Sequence, residues 1–429
     1  MMDQALLLRN GRIIDPANHL DSVGDVLIEG GVIVGVFPGG APPERVAGAE
    51  VVDATGKWIV PGLIDMHVHL REPGEEYKET IASGTRAAAA GGFTAVTCMP
   101  NTRPVNDSEA VTALILAKAQ AGSARVYPVG AISRGMQGES LAPLGEMRRA
   151  GVVAVTDDGR PVSNGQLMRR AMEYGANHEL LVISHAEELS LSENGVMNEG
   201  ALATSLGLRG IPRVAEEIMV YRDLALARYT GRPVHIAHVS TRESVDLIRR
   251  AKAQGCRVTA ETAPHYFSLT EAAVDRYNTR AKMNPPLRTA DDVAAIRTGL
   301  ADGTLDAIAT DHAPHSELEK EVEFDLAANG IIGLETSLPL SLALVRDGVL
   351  TPRRLVEVMS CNPARILGVA GGTLSPGAAA DVTVIDPEAR FVFTEAEIHS
   401  KSRNSPFLGW ELQGRAVLTL LAGRVTCRR

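Results

Sequence analysis

Between residues 57 and 371 the chain repeats one pattern. Short apolar runs that end in polar, glycine or proline residues occur eight times: GLIDMHVHL (62–70), FTAVTCMPN (93–101), RVYPVGAIS (125–133), GVVAVTDDG (151–159), LLVISHAEE (180–188), PVHIAHVST (233–241), RVTAETAPHY (257–266) and DAIATDHAPH (306–315). Between most of them lie stretches that read as helices, such as DSEAVTALILAKAQA (107–121) and TRESVDLIRRAKAQ (241–254), the latter opening with Thr241 as an N-cap. Eight strands alternating with helices predict an α/β fold, a (β/α)8 TIM-like barrel. The longer connections 188–211 and 268–289 read as insertions into barrel loops.

Both ends of the chain follow a different pattern. ALLLRNGRIID (5–15) and DVLIEGGVIVGVF (25–37) are β-rich runs interrupted at Asn-Gly and Gly-Gly, both hairpin signals; AADVTVID, RFVF and AVLTLLAGRVT repeat the style near the C-terminus. Neither end has enough apolar surface to stand alone, so one small β-sandwich built from both ends is the economical solution. The expected division is 1–56 for the first part of the sandwich, 57–371 for the barrel and 372–429 for the second part.

Composition narrows the class. The 429 residues are 45% hydrophobic and 22% charged, which suits a globular enzyme with a large core. A net charge of −9 argues against nucleic acid as the main partner. The four cysteines, Cys98, Cys256, Cys361 and Cys427, form no C-x-x-C and read as free thiols of a reducing cytoplasm. MMDQALLLRNGR lacks the features of a secretory leader, and no apolar run reaches the ~18 residues of a membrane span. The expectation is a cytoplasmic protein with no membrane partner.

The histidines and aspartates gather at the C-terminal ends of the eight runs, which a parallel barrel brings together on one face. The candidate metal ligands are His67 and His69, Asp158, His185, His238 and Asp311. Residues i and i+2 of a strand share a side, so His67 and His69 can grip one ion. Imidazole and carboxylate together suit Zn²⁺. Arg71, two residues beyond His69, can hold a carboxylate in a fork. His235, three residues before His238, is expected on the opposite side, packed between barrel and helices. His265 and His312 are expected to support the site, and His19, His178 and His399 to lie outside it.

With these residues in place the sequence resembles the amidohydrolase superfamily, and within it the dihydroorotases of the long, type I kind. The carrying motifs are DMHVHLREPG (65–74) and ATDHAPHSELEK (309–320), supported in order by CMPNT, TDDG, SHAEE, IAHVST, KMNPPLR and GIIGLET. The resemblance implies two Zn²⁺ per subunit, His67 and His69 on the more buried ion, His185 and His238 on the second, and Asp311 as metal-binding general base. Many superfamily members bridge their metals with a carboxylated lysine, but this chain has no lysine between Lys118 and Lys252. An aspartate of TDDG would bridge with a hydroxide instead, and the resemblance selects Asp158 over Asp157. It also implies that His69 lies beside the substrate, that Arg71, Asn101 and His315 hold the substrate carboxylate, that Asn284 contacts the ring, and that the backbone at Asn329 and Gly330 seats it. Many relatives carry an aromatic residue where this chain has Asn329.

The implied reaction interconverts L-dihydroorotate and N-carbamoyl-L-aspartate in pyrimidine synthesis. Two zinc ions bring four positive charges, Asp158, Asp311 and a hydroxide offset three, and Arg71 adds one, so a small anionic substrate fits the site. The alternatives are an allantoinase or hydantoinase-type cyclic amidohydrolase, and a non-catalytic scaffold for aspartate transcarbamoylase. A homodimer is the expected assembly, with aspartate transcarbamoylase as a possible partner. The connection SELEKEVEFDLAANG (316–330) reads equally as a mobile lid or as an ordinary barrel loop; unchanged hydrogen exchange there on adding substrate would exclude the lid.

Overall fold

The computed structural model describes residues 5–429. Residues 1–4, which begin the segment read for a leader, lie outside the described residues. Each of the eight apolar runs contains a barrel strand: β1 (Leu63–Val68), β2 (Phe93–Cys98), β3 (Arg125–Gly130), β4 (Ala154–Val155), β5 (Leu181–Ser184), β6 (Val234–Ile236), β7 (Val258–Thr262) and β8 (Ala307–Ile308). They pair in parallel and in sequence order. A parallel bridge between Val68 and His312, with His69 N–H donating to His312 O at 2.8 Å, joins the first strand to the segment after the last.

Two apolar layers hold the barrel. Met66, Val129, Ala154, Ile183, Ala237, Ala307 and Ala309 come from six different strands or strand ends and cluster inside it with Leu367. The other faces of the strands, including Val234, Ile236 and Ile308, pack against the surrounding helices. The helix Arg242–Ala253 shows how sequence sets this layer. Thr241 Oγ1 accepts from Ser244 N–H at 3.2 Å, and Val245 and Ile248 turn inward while the charged residues face out. The two insertions pack on each other: Arg288 donates to Asn198 Oδ1 and to Ile211 O.

The strands from both ends of the chain join in one mixed eight-stranded sheet. Trp58–Pro61 lies within it, between Leu6–Asp15 and Val382–Val392, and leads directly into β1. Its apolar side chains enclose a second core that includes Leu8, Ile13, Val26, Ile59, Val384 and Leu418. The chain turns at Gly30–Gly31 and Ala422–Gly423, where the sequence is interrupted. Asn10-Gly11 behaves differently from its prediction. It makes a bulge within the single strand Leu6–Asp15, whose two halves both pair with Leu20–Glu29. Asn10 takes the left-handed conformation (φ 60°), and a Cβ on Gly11 would lie 2.5 Å from Ile59 Cδ1. The dipeptide allows close approach here rather than reversing the chain.

Among the described residues no helix is long and apolar enough to cross a membrane. All four cysteines are free thiols.

Candidate metal centre and substrate cavity

The C-terminal ends of β1, β4, β5, β6 and β8 deliver the predicted ligands to one buried point. Asp158 is at its centre. Its carboxylate lies 3.4 Å from His67 Nε2, 3.4 Å from His69 Nε2, 3.3 Å from His185 Nδ1 and 3.6 Å from His238 Nε2. His67, His69 and Asp158 form one group with metal-ligand spacing, and Asp158, His185 and His238 form a second; Asp158 is common to both. Asp311 Oδ1 joins the first group at 3.1 Å from His69 Nε2 and 3.6 Å from His67 Nε2. Asp157 points elsewhere. Its carboxylate accepts from the N–H groups of Ile132 and Ser133 and from the Ser133 hydroxyl, which anchors the β3 and β4 ends to each other.

These residues fit a metal. His67 Nε2 and Asp158 Oδ1 are buried and have no hydrogen-bond partner, although an unsatisfied buried polar atom costs about 1–3 kcal/mol. A cation between them satisfies both. Burial opposes charge on His67, but Asp158 and Asp311 outweigh it and raise the imidazole pKa well above its ordinary value. Burial likewise opposes the Asp158 and Asp311 carboxylates, and the surrounding imidazoles, His67 first among the charges, hold both below the usual range. Such a cluster of ionised carboxylates and imidazoles is suited to exchanging protons for a metal cation.

Two carboxylates that the sequence reading missed orient the ligands. Glu261, on β7, takes His67 Nδ1 at 2.8 Å, and Glu187 takes His185 Nε2 at 3.0 Å. Each leaves the other ring nitrogen aimed at Asp158. Glu187 stands at i+2 from His185, and that spacing was a usable signal. Glu261 is 194 residues from His67 and had none.

His235 is a correction. It lies inside the barrel rather than between barrel and helices, with Nδ1 at 2.8 Å from Thr259 Oγ1 and Nε2 at 3.3 Å from Glu261. Ala237 also faces inward, so regular alternation would send His238 outward. His238 has φ 35°, and this left-handed turn brings it back to the mouth. Arg71 (φ 61°) and Asp311 (φ 48°) share that conformation. Each costs about 1–3 kcal/mol, and such strain gathers at functional sites.

A cavity of about 220 Å³ opens over the cluster, lined among others by His69, Arg71, Asn101, Asn284, Asp311, His315, Asn329 and Gly330. Arg71 is 8% exposed. Its Nε donates to Pro314 O at 3.1 Å and a terminal nitrogen lies 3.2 Å from His315 Nε2; no ion pair to it is found among the described residues. Asn101 Oδ1 accepts from His69 Nδ1 at 2.9 Å, which leaves His69 Nε2 for the centre and the Asn101 amide nitrogen free to serve the cavity. Asn284 Nδ2 donates to Glu187 Oε2 at 2.9 Å. His315 Nε2 lies 2.8 Å from Asn329 O, and burial, then Arg71, lowers its pKa to about 2, so the ring is neutral. Asn329 is an exposed residue, and its backbone carbonyl is the atom that contacts His315.

The remaining histidines divide as follows. His312 accepts from Gly333 N–H and contacts Glu79, bracing the β8 end. His265 is buried beside Tyr266, and burial lowers its pKa to about 4. His19, His178 and His399 contact Arg353, Tyr174 and Glu335 respectively, none of which lines the cavity.

The chain is similar to known proteins along its whole length. Residues 56–244 match the family described as Dihydro-orotase-like. A dihydroorotase of Desulfotalea psychrophila is 63% identical over 424 residues, 99% of this chain and 100% of the relative. One from Geobacter sulfurreducens is 60% identical over 99% of each chain. Among solved structures, the L-hydantoinase (dihydropyrimidinase) of Arthrobacter aurescens superposes with a TM-score of 0.87 at 26% identity, covering 100% of this chain and 96% of that one. The D-hydantoinase (dihydropyrimidinase) of a Thermus species gives 0.79 at 27%, covering 99% and 95%. With relatives this similar along the whole chain, and a barrel mouth built around a shared aspartate, the chain belongs to the dihydroorotase family of cyclic-amide hydrolases.

Proposed function

We propose that the chain catalyses the reversible hydrolysis of L-dihydroorotate to N-carbamoyl-L-aspartate, running toward ring closure in pyrimidine synthesis. The single observation that carries the substrate choice is Arg71: a buried guanidinium facing the cavity, with no ion-pair partner among the described residues. A buried unpaired charge is costly, and a substrate carboxylate would neutralise it in a bidentate fork. Hydantoin and dihydrouracil lack that carboxylate.

In this reading His67 and His69 would hold one zinc, His185 and His238 would hold a second, and Asp158 would serve both. The metals would polarise the scissile carbonyl and lower the pKa of water from 15.7 to about 7. The chain's own groups do the rest. Arg71, Asn101 and His315 hold the carboxylate, His69 borders the reacting amide, Asn284 contacts the ring, and the backbone at Asn329 and Gly330 seats it. Asp311 accepts the proton of the attacking water as oxygen bonds to the ring carbonyl carbon. It returns that proton to the ring nitrogen as the C–N bond breaks. Segment 316–330 would serve as part of the cavity wall, an ordinary barrel loop rather than a mobile lid, which its ties to the loop after β7 support. A cytoplasmic homodimer, able to associate with aspartate transcarbamoylase, and a division at 1–56, 57–371 and 372–429 complete the proposal.

The test is a parallel assay on dihydroorotate, dihydrouracil and allantoin, repeated with Arg71→Ala. The parent is expected to turn over dihydroorotate alone. Arg71→Ala should raise KM roughly 10- to 100-fold with kcat little changed, because a charged hydrogen bond is worth about 1.5–3 kcal/mol and is uniform binding. Turnover of dihydrouracil or allantoin at parity would favour the other cyclic amidohydrolases, and an unchanged KM would move the carboxylate contact elsewhere.

A further inference from the structure

The loops after β7 and β8 together make one wall of the cavity, the first through Asn284 and the second through His315, Asn329 and Gly330. They meet where Gly330 N–H donates to Lys282 O at 3.0 Å. Beside that bond lies the ammonium of Lys320, the last residue of the short helix Glu317–Lys320 and only 3% exposed. Lys320 Nζ donates to Ala328 O at 2.7 Å, Gly330 O at 3.2 Å and Lys282 O at 3.3 Å. Three carbonyls thus use the three N–H bonds of one ammonium. Two belong to the loop after β8 and one to the loop after β7.

No carboxylate pairs with Lys320 among the described residues. Burial, and after it the nearby Lys282, pushes its pKa down to about 7. Lys282 Nζ in turn donates to Phe324 O and Asp325 O at 2.8 and 3.0 Å, a second tie between the same loops. A buried cation without a counter-ion is a poor way to stabilise a loop; apolar side chains of similar size would do it better. What the ammonium offers is a fixed distance between three backbone oxygens. Gly330 leaves little slack there: its φ is 123°, and a Cβ on it would lie 2.6 Å from Ala313 Cβ. Asn404 also donates to Gly330 O and to Ala313 O, but both of those carbonyls lie on the β8 side.

We propose that Lys320 is a positioning residue for the reaction, holding the Asn329–Gly330 backbone at the separation from Asn284 that the substrate ring requires. This rests on the wall assignment made under the proposed function. Lys320 touches no predicted metal ligand through its hydrogen bonds, so its effect falls on binding rather than on the metal centre.

The test compares the parent with Lys320→Met, which keeps the chain length and removes every donor, and Lys320→Gln, which keeps an amide donor. Lys320→Met is expected to raise KM for dihydroorotate about tenfold with kcat within about threefold, as for lost uniform binding. Its bound metal should equal the parent's, and Lys320→Gln should recover part of the KM. If Lys320→Met does not fold, Lys320→Gln alone decides, by the same split between KM and kcat. A KM within about twofold of the parent in a folded variant, or parallel losses of kcat and bound metal, would overturn the proposal. Absence of dihydroorotate turnover in the parent would instead remove the wall assignment beneath it, and is seen before any variant is assayed.

Discussion

Asp311→Asn is expected to fold and to lose turnover by about 10²–10⁴-fold, the range that a positioned acid–base group contributes. The carboxylate lines the cavity and lies 3.1 Å from His69 Nε2. Burial would raise its pKa, but His67 and His69 outweigh burial and keep it ionised at neutral pH, so it is free to accept a proton. Asparagine has the same size and offers no such acceptor. Its conformation at φ 48° is one that asparagine also tolerates, so the backbone should persist. Measuring kcat together with bound metal separates the two roles assigned to this residue. Metal retained with turnover lost identifies proton transfer; near-normal turnover would contradict the assignment.

Asp158→Ala should act on the whole centre. The carboxylate lies 3.3–3.6 Å from imidazole nitrogens of His67, His69, His185 and His238 and belongs to both ligand groups. Loss of a residue that merely supports a ligand lowers metal affinity about 10–100-fold, and loss of a shared ligand should exceed that. Elemental analysis after dialysis is expected to find bound metal well below the parent's, with activity lost in proportion. Circular dichroism should still show the barrel, whose apolar layers do not include this residue. Metal retained at the parent level would mean that the two groups bind without a common carboxylate.

Much of this was readable in the chain because the signals are local. Each barrel strand lies in an apolar run that carries its polar ending with it, so strand count and ligand positions came from one pattern. The predicted metal ligands meet at one point because parallel strands leave no other place for their C-terminal ends. What escaped was set by backbone geometry or by distance along the chain. His235 was misplaced because alternation fails at His238, whose φ of 35° nothing in the residue itself announces. Asn10-Gly11 is a sound turn signal, yet residues on both sides of it pair with the same neighbouring strand. Glu261 braces His67 from β7, two strands away around the barrel but 194 residues along the chain, and Lys320 binds carbonyls, which leave no trace in side-chain pattern.

The most direct measurement is the metal content of the purified protein, read beside its dihydroorotate turnover before chelation, after chelation, and after zinc is restored. Two equivalents of zinc per chain, activity abolished on their removal and regained on their return, is the expected result. Full turnover by metal-free protein would leave His67, His69, Asp158, His185 and His238 without the role assigned to them.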